Sequence, residues 1–228
     1  MTGAVQEGEG KRISARAVLH RELKRHVEGA RRHESPSLRI LAELRRAREG
    51  LFDGSPASSR LLALLEASAP MRDRAAMPQR ELDDLMLVAW LVAWHRPQVG
   101  RDEKHQAGFG NDLRVLRSAP SDPMENRAGR RPSAIDQRVD RLLSTRREDL
   151  PRELRRLFAL LAKAGEGGSP ARVDIAALVR DLGQWDQPAR PVQARWAYQF
   201  FVERWDESSG DAPASEPSDA TPESEETR

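Results

Sequence analysis

The chain has 228 residues, enough for one domain of ordinary size or two small ones built around a real apolar core. It contains no cysteine, which excludes disulfides and thiolate metal sites and fits a reducing cytoplasm. The formal charge of +2 conceals a split: residues 206–228 hold eight acidic residues and one basic, leaving 37 basic against 28 acidic residues over positions 1–205, a net charge of +9.

Residues 1–12 are polar, lack the apolar core of a secretion signal, and are expected to be disordered. Alanine, leucine, arginine and glutamate then dominate, while β-branched and aromatic residues are too scarce for a sheet, so the expected fold class is all-α. A first helix is predicted from about Ser14, its N-cap, to Arg32. A second starts near Pro36, carries Leu38, Leu41 and Leu44, and closes at about Arg48 before Gly50. Leu61, Leu62, Leu64 and Leu65 mark a short third helix ending before Pro70.

The stretch Glu81 to His95 leaves almost no polar face, with an unbroken apolar run from Leu85 to Trp94. A helix apolar all round must be covered all round, which places it at the centre of the N-terminal half. Its apolar run rises only about 15 Å, half of a bilayer's hydrocarbon thickness, so no membrane span is expected. Pro97 stops it, and a short helix follows over about Phe109 to Leu116, with Gly108 and Gly110 read as a tight entry.

Pro120, Pro123, Gly129 and Pro132 mark a linker loop over 118–133 that divides a helical part at 13–117 from another at 134–205. Helical period returns with Ile135, Val139, Leu142 and Leu143. Asp149 is the expected N-cap of the next helix, whose core side holds Leu150, Leu154, Leu157, Phe158 and Leu161. Gly165 to Pro170 breaks the chain again; Asp174 to Leu182 and Val192 to Trp205 complete about eight or nine helices. The acidic remainder, 206–228, is rich in Ser and Pro and is expected to be disordered.

A basic body is the pattern that a polyanionic partner demands, although the same charge also serves solubility alone. Helical geometry gives the charges a direction. On the helix from Asp149 to Lys163, the side opposite the apolar stripe carries Arg152, Arg156 and Lys163, with Arg155 at the border. On the preceding helix Arg138 and Arg141 lie on one flank of Val139, and Asp136 and Asp140 on the other. Such a ridge suits phosphates, which position a protein without specifying bases.

Catalytic constellations are missing from the sequence. Asp83, Asp84 and Asp181 belong to no recognisable metal motif, and His20, His26, His33, His95 and His105 show no i, i+4 pair, which reads them as surface or helix-end residues. No G-x-S-x-G elbow or complete phosphate loop is present. The expectation is a non-enzymatic protein with no cofactor, no metal and no small-molecule substrate.

At the C-terminal half the run Asp181-Leu182-Gly183-Gln184-Trp185-Asp186, followed by Val192-Gln193-Ala194-Arg195-Trp196-Ala197 and Phe200-Phe201, resembles the closing signature of the CasB family. Leu44-Arg45-Arg46-Ala47, Phe109-Gly110 through Leu116-Arg117, Asp136-Gln137-Arg138 to Leu143, and Asp149-Leu150-Pro151 with Leu154 to Leu157 resemble further elements of that family, in order, over roughly residues 20 to 205. Asn111 stands where members of the family often carry a basic residue.

The family is the small subunit of the type I-E CRISPR Cascade complex. The resemblance implies a helical bundle in two small subdomains, a homodimer within the complex, contacts with crRNA, target DNA and the displaced strand, and cytoplasmic antiviral defence through R-loop stabilisation. Its motifs carry nucleic-acid binding onto Arg45, Arg46, Arg114, Arg117, Arg138, Arg141, Arg155 and Arg156, which Arg152 and Lys163 join on geometry. Two other readings stay open: a stand-alone helical DNA-binding regulator, for which no helix-turn-helix is found, and an adaptor that binds only protein.

Overall fold

The computed structural model describes residues 14–47, 53–68, 77–100, 108–118, 133–166 and 172–201. Among them the chain is all-α: α1 Ala15–Arg31, α2 Ser35–Arg45, α3 Pro56–Ser68, α4 Gln79–His95, α5 Phe109–Ser118, α6 Ala134–Ser144, α7 Leu150–Glu166, α8 Ile175–Gly183 and α9 Pro191–Phe201. The disordered termini expected at 1–12 and 206–228 lie outside the described residues, as does nearly all of the linker expected at 118–133.

Local chemistry explains most boundaries. The Ser14 hydroxyl accepts from the Ala17 backbone N–H and satisfies one of the donors that a helix start leaves open. Pro36, with its fixed φ and no N–H to lose, sits in the first turn of α2. Ser133 and Asp136 form a reciprocal capping box at α6. α4 ends where Arg96 turns left-handed (φ 49°) and its N–H closes on the Val92 carbonyl, just before Pro97.

Two boundaries differ from expectation. Asp149 is not a free N-cap: it ends a 3₁₀ turn over Arg147–Asp149 that runs directly into α7. α7 also continues through Gly165 to Glu166, where the Gly165 carbonyl accepts from Gln98 Nε2 at 3.4 Å.

α4 occupies the centre, as its all-round apolar surface requires, but its neighbours come from both halves of the chain: α1, α2 and α3 before it in sequence, α7 and α8 after it. Its residues 84–93 are all buried. Beyond the linker, α8 packs on α1, and α9 packs on α5. Buried apolar residues from all nine helices therefore meet in one cluster. Phe109, Phe158, Trp185 and Trp196 form its aromatic chain, with neighbouring centroids 5.0 to 5.7 Å apart. Trp196 and Phe200 are fully buried in the core.

Gly110 explains why α5 and α9 lie so close. A Cβ placed there would stand 2.5 Å from the Trp196 carbonyl oxygen and 2.9 Å from its Cα, and backbone cannot step aside. At Gly108 a Cβ would meet the Gln199 side chain instead, so both glycines face α9 but only Gly110 faces its backbone. Val99 and Val173 add one parallel bridge that ties the segments after α4 and before α8, with Val173 N–H donating to the Gln98 carbonyl at 2.8 Å.

Candidate nucleic-acid interface

The basic side chains sort by what they touch. One group is bound to buried carboxylates. Asp84, on α4, pairs with Arg147, which also donates to the Leu182 carbonyl. Asp181, wholly buried on α8, accepts from the Trp196 indole N–H at 2.7 Å and pairs with Arg195 at 2.7 Å and Arg180 at 3.2 Å. These two acidic positions, which adjoin no metal motif in the sequence, are counterions inside the bundle. Among the described residues no group of three or more His, Asp or Glu could hold a metal ion, and no helix is long and apolar enough to cross a membrane.

Three of the predicted site residues are likewise held by carboxylates, buried or partly buried. Arg117 pairs with Asp136 at 3.3 Å and lies 5.8 and 5.9 Å from the rings of Phe200 and Phe201, so it clamps α5, α6 and α9. Arg156 donates twice to Glu153, at 2.9 and 3.1 Å, and Arg152 reaches the same carboxylate at 3.3 Å as well as Asp149 at 3.6 Å. The Glu153 side chain is 4% exposed while Arg152 and Arg156 are 64% and 50% exposed. The geometric ridge on α7 is thus partly neutralised from beneath.

The remaining predicted residues divide by place. Arg138 and Arg141 are exposed on α6, while Val139 and Leu142 face the core, and no described carboxylate pairs with either arginine. Arg46, at the end of α2, and Lys163, late in α7, are exposed and equally unpaired among the described residues. Arg114 is half-buried on α5.

Arg45 and Arg155, far apart in sequence, are brought together at the C-terminal end of α4. The Arg45 guanidinium lies 5.9 Å from the ring centre of Trp94 and that of Arg155 lies 5.5 Å from it, with Arg155 also 5.8 Å from Trp90. Arg45 Nε donates to the Ala93 carbonyl at 2.5 Å, one of the acceptors a helix end leaves open. Burial, and then the like charge of Arg96, holds the Arg45 guanidinium below the ordinary arginine value. His95 is pushed below the usual histidine value by burial first, and then by Arg155 and Arg45. No described carboxylate answers Arg45, Arg96 or Arg155.

Sequence reasoning missed Trp94 by assigning it to a helix covered on every side. It is 44% exposed, the large apolar side chain that α4 leaves in solvent. The reading of all histidines as surface or helix-end groups also fails at His26, which is buried with its Nδ1 3.4 Å from the Ser37 hydroxyl. Burial and the neighbouring Arg25 hold its imidazole below the usual value.

Comparison with known proteins gives a consistent result. The family model for CRISPR-associated protein Cse2 matches residues 40–201, more than half of the chain. A CRISPR-associated protein Cse2 from Thermus thermophilus is 32% identical over 123 residues, which cover 54% of this chain and 59% of that relative's length. The crystal structure of M. ruber CasB superposes with a TM-score of 0.56 at 23% identity, over 83% of this chain and 93% of that one. CasB from Thermobifida fusca superposes with a TM-score of 0.54 at 20% identity, over 82% and 98%. At such identities the superpositions establish the fold.

Proposed function

The chain belongs to the Cse2 (CasB) family of CRISPR-associated proteins, and from that premise we propose that it is a non-catalytic subunit of a type I-E Cascade complex. In this reading it rests against crRNA, target DNA and the displaced strand, and it stabilises the R-loop beside its companion subunits and a second copy of itself. Recognition by base pairing leaves the protein little sequence to read. Exchange of a DNA duplex for a heteroduplex of similar stability is nearly balanced, so modest backbone contacts tip it.

The observation that carries the proposal is the set of cations without carboxylate partners among the described residues: Arg45 and Arg155 converging on Trp94, with Arg46, Arg138, Arg141 and Lys163 exposed. An unpaired guanidinium offers phosphate a fork of donors, and its contribution appears in the salt dependence of binding.

The test is a gel-shift series over salt with the assembled complex carrying R138A, R141A and R155A together. Each lost phosphate contact flattens the plot of log affinity against log salt by about 0.9 on duplex or about 0.7 on single strand, so the triple variant loses about 2 to 3 units of slope. An unchanged slope refutes the role and favours an adaptor that touches only protein.

A further inference from the structure

The end of α4 holds more than counterions for a helix dipole. One cation near the last turn is enough to complement the partial negative charge there. This end gathers Arg45, Arg96 and Arg155 without an acidic partner among the described residues. Arg45 and Arg155 lie over an indole that has nearly half its surface in water, and Arg96, the C-cap residue, is close enough to act on Arg45. Elsewhere the fold answers buried acids with arginines and buries its other described tryptophans: Trp90, Trp185 and Trp196 are each at most 5% exposed. Tyr198, the other large side chain in water, has no cation over its ring among the described residues, so exposed ring and unpaired arginines coincide at Trp94.

Arg45 is oriented by its Nε bond to Ala93, which leaves its Nη groups for another acceptor, and Arg155 is oriented by packing over Trp90 and Trp94. Two guanidiniums held over an indole that still has 44% of its surface in water combine anion donors with open aromatic surface. A nucleotide has the complementary shape, a flat base joined to phosphates. A duplex keeps its bases stacked within the helix, whereas an unpaired strand can lay one on an aromatic side chain.

We propose that Trp94 is a stacking platform for an unpaired nucleobase, with Arg45, Arg96 and Arg155 receiving the phosphates that flank it. The proposal rests on the nucleic-acid reading above and narrows it, at this site, to single-stranded nucleic acid held through a base as well as through its backbone. The base is taken without regard to identity, because every base has a π face.

The experiment compares two labelled strands of equal length and charge, oligothymidylate and its abasic counterpart, by fluorescence anisotropy with the purified full chain at low salt. Wild type is expected to bind the base-bearing strand at least about fivefold more tightly, the lower end of what one stacked base contributes. W94L is expected to bind both strands alike, and W94F, which keeps a ring, to restore most of the preference. Equal wild-type affinity for both strands overturns the platform while leaving the phosphate reading intact. No binding of either strand overturns both. A preference that survives in W94L assigns the stacking to another residue, and loss of companion subunits by W94L without loss of strand binding assigns Trp94 to a protein contact; either result overturns the proposal.

Discussion

The two arginines held by Glu153 give a test that runs in the opposite direction from ordinary charge removal. Glu153 is buried at the edge of the apolar stripe of α7, and its carboxylate holds Arg156 through both oxygens and Arg152 through one. Replacing it by glutamine keeps the shape and an acceptor oxygen but removes the charge that competes with phosphate. Arg152 and Arg156 are half or more exposed, so their loss of an ion partner is screened by water and the stability change stays within about 1 kcal/mol. If both released guanidiniums reach phosphates, the salt slope steepens by about 1.4 on single-stranded or about 1.8 on duplex DNA. The ratio of affinities between about 50 and about 200 mM salt then grows roughly sevenfold to twelvefold. Gel-shift titrations over that salt range measure it, with R152A/R156A as the comparison. That double variant should change the slope little, since wild type already spends these side chains on Glu153. A slope for E153Q equal to wild type, or a loss in R152A/R156A as large as in R138A/R141A, refutes the division into bound and available arginines.

Asp181→Ala leaves the wholly buried Trp196 indole N–H without its acceptor and removes the partner of Arg180 and Arg195. The unsatisfied donor, with a discounted share for two part-exposed arginines, lowers stability by about 2 to 4 kcal/mol in urea unfolding followed by tryptophan fluorescence. Asp181→Asn keeps an acceptor and should lose about half as much; a loss below about 1 kcal/mol for the alanine variant removes the indole bond from the account. His26 and His95 both have folded pKa values below the ordinary 6.5, so the unfolded chain takes up protons first. Their contribution to stability is complete above that value and is lost as pH falls below it. Thermal melts between about pH 7.5 and 5.5 should show Tm falling with acid, and H26Q/H95Q should flatten the fall; a wild-type Tm that is level across this range refutes the assignment.

Local signals carried most of the fold. Ser14 capped where a serine before an apolar period should, and α4 lay at the centre because an all-apolar helix has nowhere else to go. That α4 would serve both halves of the chain was not legible, because periodicity assigns a face to a helix and says nothing of which helix covers it. The same gap hid the site. Arg45 and Arg155 were each placed on the right helix, but their meeting at Trp94 depends on how α2 and α7 approach the end of α4. Angular reasoning put Arg152 and Arg156 on the outward side of α7 correctly and overlooked Glu153, one and three residues away, within reach of both. Gly108 and Gly110 were read as a tight helix entry; their further constraint, the Gln199 side chain for Gly108 and the α9 backbone at Trp196 for Gly110, lies about 90 residues downstream and was not legible.

The arginine content thus serves two purposes that composition cannot separate. A bundle that encloses Asp84, Asp181, Glu22 and Glu153 needs guanidiniums at its borders, since an ionised carboxylate away from water is tolerable only when paired. Arg147, Arg180, Arg195, Arg25, Arg152 and Arg156 meet that need. Six arginines answer these four acids, so setting them all aside lowers the net charge of the body only from +9 to +7. Most of the excess of positive charge therefore resides in side chains that no interior acid holds. Arg45, Arg46, Arg138, Arg141, Arg155 and Lys163 are such side chains among the described residues. A surface that retains cations after these interior acids have been answered is what the proposed backbone contacts require, and at the end of α4 two of those cations share an exposed aromatic ring.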